Sequence, residues 1–308
     1  MATINAYELL NNSIETIPFL VEPLFPKTGL VALVGSSDCG KSTFLRQLAM
    51  SIATKQDDFL GFKINALHNR VLYISTEDGY EAMSAIMKKQ FSNHSTNSDT
   101  LQLQFCFDVE DAIEYLNNYF SKPENLLDCV IIDAFGDVFN GDSNMVSKVR
   151  PFLNLFKIIS ERNNCLIMFL HHTGKNAEKK EPNKSNILGS QGFEAKMRFI
   201  LELRKDPQIS NKRYLHFLKG NYLSEEYKSK VIGLEIDENL ILKNIGECVI
   251  EFNSKILCDK LTDTIKDEIM EMNKAKIGIR RIAYEIGRKH QFSIGKTKVA
   301  ELIKELSA

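Results

Sequence analysis

The sequence has no tryptophan, only 7 prolines and no long apolar run among its 308 residues. Its 16 glycines and few prolines exclude collagen-like and low-complexity classes. No segment approaches the ~18 consecutive apolar residues of a membrane-spanning helix. Residues 1–10 have neither a basic start nor an apolar stretch. We therefore expect a soluble protein that stays in the cytoplasm and has no membrane partner.

Cysteine pairs and a strong charge of one sign are also missing. The 6 cysteines form no C-x-x-C pair, so zinc binding is not indicated and reduced thiols are expected. The net charge is −1, from 39 lysines and arginines against 40 acidic residues. This balance excludes a uniformly basic nucleic-acid coat but leaves local basic patches open.

Short apolar runs alternate with helical patterns through most of the chain. The runs typical of strands are residues 30–34, 71–75, 101–107, 129–133, 165–170 and 198–203. Apolar residues three and four apart predict helices at 42–53, 80–91, 110–120 and 147–162. This alternation predicts an α/β fold with a mostly parallel sheet. Residues 214–218, 231–236 and 240–252, the last with a turn at 244–246, predict an antiparallel extension.

The end of the chain differs from the rest. We predict one domain over residues 1–255 and a small helical domain over 256–308, in which 282–287 and 293–306 resemble a helix-turn-helix or winged-helix unit. Residues 272–308 hold nine lysines and arginines against three glutamates, so they carry about +6 while the remainder carries about −7. This asymmetry suits contact with DNA, although a partner protein or a solvated helical surface fits equally well.

Residues 35–42 match G-x-x-x-x-G-K-[ST] between a predicted strand and a predicted helix. Glycine permits backbone torsions in which successive N–H groups converge on phosphate oxygens at a helix N-terminus. In such a loop Lys41 would reach the β- and γ-phosphates and Ser42 would hold Mg²⁺, while the acid Asp38 is expected to point outward. The predicted nucleotide-binding residues are Gly35, Ser36, Ser37, Asp38, Cys39, Gly40, Lys41, Ser42 and Thr43.

Two predicted strands end in acidic residues. Asp133 follows an apolar run and is predicted to hold Mg²⁺ with Ser42; the alternative is an aspartate that merely ends a buried strand. Because Ala134 comes next, a catalytic base must lie elsewhere. Glu77, which follows residues 71–75, is the predicted base that polarises water, with Asp78 as its rival and a solvated acidic loop as the alternative.

A polar pair follows the predicted strand at 165–170. His172, in the segment HHTGK, is predicted to sense the γ-phosphate, and two surface histidines are the alternative. Adjacent residues on a strand point to opposite faces, so His171 and His172 are not expected to share a metal ion.

Taken in order, these motifs resemble the RecA-like ATPases over about residues 18–235, and within them the plasmid-type hexameric replicative helicases. The resemblance implies Mg·ATP as ligand and roles for Lys41, Ser42, Glu77, Asp133 and His172. It also implies that Lys219, in the segment KGN, reaches the nucleotide of a neighbouring subunit in a homo-oligomeric, hexameric ring. Asn221 replaces the arginine of the family's K-x-R form. The arginine finger is therefore unassigned; Arg198, Arg204 and Arg213 are candidates, each read more readily as a surface residue.

The same resemblance implies where DNA binds, because two loops line the channel of such rings. Here they are residues 135–145 and 175–188, and the lysines of the second would follow a phosphate backbone without reading bases. Independently of the resemblance, residues 175–186 are polar, lysine-rich and interrupted by Pro182, which predicts a mobile loop. The loop lysines are Lys175, Lys179, Lys180 and Lys184. A solvated linker is the alternative.

The implied function is a helicase-type ATPase acting on single-stranded DNA in replication or mobilisation of a plasmid or mobile element. An ATP-dependent DNA-binding regulator or loader, and a recombinase-like filament, remain alternatives.

Overall fold

The computed structural model describes residues 3–92, 101–174, 176–189, 191–248, 263–275, 277–290, 299–300 and 302–304. They belong to two compact units, Met1–Cys248 and Val249–Ala308, each of which is described by itself. The predicted domain boundary between residues 255 and 256 lies outside the described residues, and so does Lys175.

The first unit alternates strands and helices. Its strands are β1 (Phe19–Val21), β2 (Phe25–Pro26), β3 (Gly29–Gly35), β4 (Asp58–Phe59), β5 (Phe62–Lys63), β6 (Val71–Ser75), β7 (Leu103–Phe107), β8 (Cys129–Asp133), β9 (Leu166–His172), β10 (Phe199–Lys205), β11 (Lys212–Gly220), β12 (Val231–Ile236) and β13 (Leu242–Cys248). Its helices are α1 (Ala6–Leu10), α2 (Lys41–Ala53), α3 (Tyr80–Gln90), α4 (Ala112–Phe120), α5 (Phe135–Val138), α6 (Val146–Arg162), α7 (Gln191–Lys196) and α8 (Glu225–Lys228).

One nine-stranded sheet organises this unit, in the order β13-β12-β11-β10-β3-β9-β8-β6-β7. From β10 to β7 every neighbouring pair is parallel, and β11, β12 and β13 add to β10 as antiparallel strands. The predicted α/β fold, a mostly parallel sheet with an antiparallel extension, is confirmed. The parallel strands all point their carboxyl ends to one edge, where ligands bind in open α/β sheets.

Apolar side chains cover both faces of the sheet. Val31 and Leu33 of β3 pack into the cluster that contains α2, whereas Ala32 and Val34 pack into the cluster that contains α6. Since both faces are buried, the parallel strands other than the edge strand β7 are almost continuously apolar rather than alternating. This continuous pattern is why the sequence predicts these strands so well.

The predicted turn at residues 244–246 is wrong. Asn244 and Gly246 pair with consecutive residues of β12, so Ile245 is the extra residue of a β-bulge. Gly246 has a φ of 100° and permits this kink within the strand. The chain reverses earlier, where the Asp237 carboxylate accepts the Ile241 N–H at 2.9 Å.

Neither of the two predicted DNA loops is irregular throughout. Residues 135–138 form α5, and Phe135, Val138 and Phe139 are buried, so the first loop is shorter than predicted. The second contains two short 3₁₀ turns, Ala177–Lys179 and Lys184–Asn186. Burial of apolar side chains orders the first segment, and local hydrogen bonds such as that of the Ser185 N–H to Asn183 Oδ1 order part of the second.

The second unit contains α9 (Asp263–Lys274) and α10 (Ile279–Lys289). Its core comprises Ile265, Ile269, Ile282, Ile286, Val299 and Leu302. The predicted helical segment 282–287 lies inside α10, whereas much of 293–306 lies outside the described residues, so the helix-turn-helix arrangement stays a prediction. Across the described parts of both units, no helix has the length and apolar character needed to cross a membrane.

Candidate nucleotide-binding site

The phosphate loop joins β3 to α2 at the carboxyl edge of the sheet. Gly40, the residue before α2, has a φ of 99° and no side chain to accept the first N–H groups of the helix. A Cβ at Gly35 would lie 2.4 Å from the Leu203 carbonyl oxygen and 2.8 Å from Cys39 Sγ. The loop therefore needs glycine at both positions, and its helix N-terminus is suited to an anion.

Lys41 is held inside this loop. Its Nζ donates to the Ser36 carbonyl oxygen at 2.6 Å and lies 4.0 Å from Cys39 Sγ. Cys39 is itself buried, and burial raises the pKa of its thiol. Cys39 therefore packs under the loop, and only its backbone can face a ligand. Asp38 is exposed, with a φ of 60°, in line with its predicted outward orientation.

A cavity of about 670 Å³ opens over the loop. The loop and the start of α2 contribute Ser37, Asp38, Gly40, Lys41, Ser42, Thr43 and Arg46. The other side chains that line it are Glu77, Asp78, Ile86, Leu170, His172, Arg213, Ile236 and Leu240. The cavity thus brings Lys41, Glu77 and His172 together from three different strand ends.

Asp133 lies buried at the end of β8, with 3% of its surface exposed. Its Oδ2 accepts the Tyr73 hydroxyl at 2.5 Å, whereas its buried Oδ1 has no hydrogen-bond partner among the described residues. Burial raises the pKa of this carboxyl, and the Tyr73 hydroxyl together with the nearby Ser42 hydroxyl opposes the rise. A buried carboxylate oxygen without a donor, next to a serine hydroxyl, fits the oxygen ligands that Mg²⁺ prefers.

Glu77 extends from the turn after β6, beside the end of β8. Thr76 fixes this turn, because its Oγ1 accepts the Ala134 N–H at 2.9 Å and donates to Asp137 Oδ2 at 2.6 Å. Glu77 Oε1 lies 3.3 Å from His172 Nε2 at the end of β9. The structure therefore joins the predicted base and the predicted sensor in one hydrogen-bonded pair.

His171 and His172 point to opposite faces of β9, as predicted. The ring of His171 is buried with its centroid 4.6 Å from that of Phe193, and its Nε2 lies 2.8 Å from the Leu188 carbonyl oxygen. Burial lowers the pKa of His171 to about 4. It is therefore neutral at pH 7 and donates to Leu188 from Nε2.

Lys219 does not line the cavity of its own chain. It pairs in register with Ile200, the second residue of β10, far from the carboxyl edge. Its Nζ donates to the Glu194 carbonyl oxygen at 2.8 Å and lies 3.2 Å from Glu194 Oε1. Within one chain, Lys219 thus lies near the amino ends of the parallel strands, whereas the phosphate loop lies at their carboxyl ends.

The three arginines interpreted as surface residues differ in burial and in their distance from the cavity. Arg213, with 6% of its surface exposed, lines the cavity, and its Nε donates to the Cys39 carbonyl oxygen at 2.7 Å. Arg204 is also buried and its Nε lies 2.8 Å from Glu202 Oε1. The surface interpretation is wrong for both, because each is paired with a buried acceptor; Arg198 is half-buried and does not line the cavity.

Several cavity residues were missed by sequence reasoning. Arg46 donates to Gln90 Oε1 at 3.1 Å, and Gln90 Nε2 donates to the Leu240 carbonyl oxygen at 3.1 Å. This chain of bonds holds α3 and the β12–β13 turn against α2. An arginine on the helix that follows the phosphate loop can be recognised from the sequence as a candidate cavity residue. Its link to Leu240 cannot, because Leu240 lies 194 residues later in the sequence.

Solved structures with the same fold have low sequence identity. The ATPase domain of G40P superposes with a TM-score of 0.58 at 12% identity, over 78% of this chain and 95% of that domain. A DnaB-like replicative helicase gives 0.57 at 12%, over 78% and 65%, and the RadB recombinase gives 0.51 at 12%, over 72% and 93%. These likenesses show a RecA-like fold.

Sequence comparison supplies the family. No curated protein matches the chain significantly, but the AAA domain family matches residues 5–178, more than half of the 308 residues. That stretch includes the phosphate loop, Glu77, Asp133 and His172. The chain therefore belongs to the AAA domain family, and it is a P-loop ATPase with a RecA-like fold related to that of replicative helicases.

Proposed function

We propose that the cavity above the phosphate loop binds Mg·ATP and is the site at which the bond between its β- and γ-phosphates is hydrolysed. The observation that carries this proposal is the convergence of Lys41, Glu77 and His172 on one cavity, with Asp133 buried behind Ser42. The N–H groups at the start of α2 take the phosphate oxygens, and Lys41 neutralises their charge. Ser42 and Asp133 would hold Mg²⁺, which when bound stabilises the charge that develops on the phosphate oxygens.

Glu77 is the proposed base. Its carboxylate orients and polarises the attacking water, a role that depends on position. His172, 3.3 Å from Glu77 Oε1, keeps that carboxylate in place and reports the state of the γ-phosphate to β9. Asp78 also lines the cavity and is the alternative base.

For the whole protein we propose a homo-oligomeric, hexameric ring that acts on single-stranded DNA as a helicase-type ATPase in the cytoplasm, in replication or mobilisation of a plasmid or mobile element. The position of Lys219 is consistent with assembly, because a lysine this remote from its own cavity and bonded to Glu194 could reach a nucleotide only if that nucleotide belongs to a neighbouring subunit. Exposed Lys179, Lys180 and Lys184 on the loop after β9 support contact with a phosphate backbone.

A recombinase-like filament is the second candidate, favoured by the likeness to the RadB recombinase fold. A DNA-binding regulator or loader is favoured by the basic C-terminal segment. Both use the same ATPase site, so they differ from the helicase only in what the assembly does to DNA.

The ATPase rate with and without oligo(dT), followed by strand displacement on a forked duplex, tests the proposal. Stimulated hydrolysis together with displacement is expected. Stimulation without displacement favours the filament, and a rate unaffected by single strands rejects both translocating and filament functions.

A further inference from the structure

One exposed side of α10 concentrates positive charge. Arg280, Tyr284 and Arg288 follow one another at four-residue intervals, each turned by about 40° from the one before. Arg281 is turned by about 20° from Arg288, so all four residues fall within about 100° of the helix surface. Tyr284 is 65% exposed and the Arg288 side chain is 73% exposed. We name these four residues the arginine face.

The opposite side of α10 explains why this face is directed to solvent. Ile282 and Ile286 are 0% and 1% exposed and pack with α9. Lys289 and His290 are also engaged with α9, because their side-chain nitrogens lie 2.8 Å and 2.9 Å from the Glu268 carboxylate. The core and these ion pairs fix the rotation of α10, so the arginine face is a rigid surface.

Charges near the arginine face are not neutralised by the part of the chain that the structure describes. Among the described residues only Glu285 approaches it, 3.7 Å from Arg288, an exposed pair three residues apart that contributes little. No described carboxylate lies within ion-pair distance of Arg280 or Arg281. With respect to the described residues, the face therefore presents guanidinium groups with little compensating charge, and guanidinium groups pair bidentately with phosphate.

We propose that the arginine face binds the phosphate backbone of duplex DNA without reading its sequence. A helix of 11 residues is about 16 Å long, and the major groove, about 12 Å wide, admits such a helix. Arginines spaced along one side of a helix suit the regular phosphates of a duplex, whereas single strands are bound in charged grooves lined with several aromatic side chains on which successive bases stack. The proposal does not depend on the ATPase site, since it concerns the second compact unit alone.

The test uses the full chain and a fluorescein-labelled 20-base-pair duplex, with fluorescence anisotropy measured across a salt series. The variant is R280A/R281A/R288A, and the matched control, K88A/K89A/K122A, removes three exposed cations from the first unit. We expect the variant to lose about ten-fold or more in affinity and the slope of log K against log salt to shrink by about 2–3. The control should match the wild type in both.

Five further measurements distinguish the possible outcomes. The charge-conserving R280K/R281K/R288K variant should keep the salt slope, and thermal unfolding should show that all variants fold. The ATPase rate of R280A/R281A/R288A should match the wild type, while E77Q should bind the duplex normally, so failure here is distinct from failure of the ATPase proposal. Equal affinity and slope in wild type and R280A/R281A/R288A overturns the proposal, as does no duplex binding by any of them, the result expected if an acidic protein is the partner. Full competition by an equimolar unlabelled single strand also contradicts it.

Discussion

Gly35 is the position at which the phosphate loop tolerates least change. A methyl group there would lie 2.4 Å from the Leu203 carbonyl oxygen, inside contact distance of a strand backbone that cannot move away. We expect Gly35→Ala to lower the free energy of unfolding by about 1–3 kcal/mol, as overpacking does, and to abolish binding of a fluorescent ATP analogue. Gly136→Ala is the control, because nothing lies within 4 Å of a Cβ there; normal nucleotide binding by Gly35→Ala would contradict the loop geometry.

His171 makes stability depend on pH. Its pKa is lowered to about 4 by burial, below the usual value of about 6.5, so between these values the unfolded chain binds a proton that the folded chain does not. The free energy of unfolding therefore falls as pH drops from 6.5 towards 4. His216, with its pKa lowered to about 3, acts in the same direction. Burial raises the pKa of Asp133 and Glu202, which acts in the opposite direction.

Comparing variants isolates the His171 contribution. In urea unfolding between pH 5 and 6.5, His171→Gln should reduce the slope of the free energy of unfolding against pH by up to about 1.4 kcal/mol per pH unit, the value of one proton. His68→Gln, at an exposed position, should leave the slope unchanged. An unaltered slope in His171→Gln would show that His171 already titrates normally in the folded chain.

At the scale of elements, the loop between β9 and α7 is tied to the phosphate loop. The Ser36 hydroxyl donates to the Glu178 carboxylate, and Arg204 Nη1 donates to the Lys180 carbonyl oxygen at 2.5 Å. The segment that carries the exposed lysines is thus bonded both to the nucleotide site and to β10. A carboxylate this close to a phosphate site opposes the binding of anions.

Glu178→Gln should therefore lower the KM for ATP about two- to five-fold, the size of a partly exposed charge interaction of ~0.5–1 kcal/mol. Steady-state hydrolysis at low salt measures it, and high salt should shrink the difference. Glu181→Gln, three residues further along the same exposed loop, is the matched control. An unchanged or higher KM in Glu178→Gln would show that the carboxylate does not oppose nucleotide binding.

The same elements show how far sequence reasoning reaches. The parallel strands and α2, α3, α4 and α6 were predictable because strands buried on both faces are continuously apolar, while amphipathic helices keep a 3.6-residue period. The bulge at Ile245 was not, since Asn followed by Gly two residues later is also typical of a turn, and only pairing with β12 distinguishes the two. Helix α5 was missed because its four residues are stabilised by burial of Phe135 rather than by local periodicity.

The residues of the candidate site likewise fall into those that the sequence predicts and those that it does not. Lys41, Glu77, Asp133 and His172 were identifiable because each follows an apolar strand whose carboxyl end meets the same edge. Arg213 was not placed, because it reaches the loop from an antiparallel strand through a contact 174 residues away in sequence. Contacts of that length depend on sheet order, which a local pattern does not specify.

For the whole molecule, the proposed assembly into a ring can be tested by mixing two inactive variants. If Lys219 completes a neighbour's site, Lys219→Ala and Glu77→Gln each inactivate the homo-oligomer, but mixed rings contain sites with a normal Glu77 and a normal Lys219. Mixing the two variants should restore part of the wild-type ATPase rate. Lys228→Ala, which removes a half-buried lysine paired with Glu225, should be active alone. Absence of any gain on mixing, or full activity of Lys219→Ala alone, would contradict a role across subunits.

The proposal that Glu77 acts on a nucleotide held by Lys41 is tested most directly by hydrolysis and binding measured side by side in Glu77→Gln. The variant is expected to bind a fluorescent ATP analogue with near wild-type affinity and to turn over ATP about 10²–10⁴-fold more slowly, the usual contribution of a general base. Glu81→Gln, in the first turn of α3 and outside the cavity lining, should hydrolyse normally. Wild-type turnover by Glu77→Gln would contradict the account.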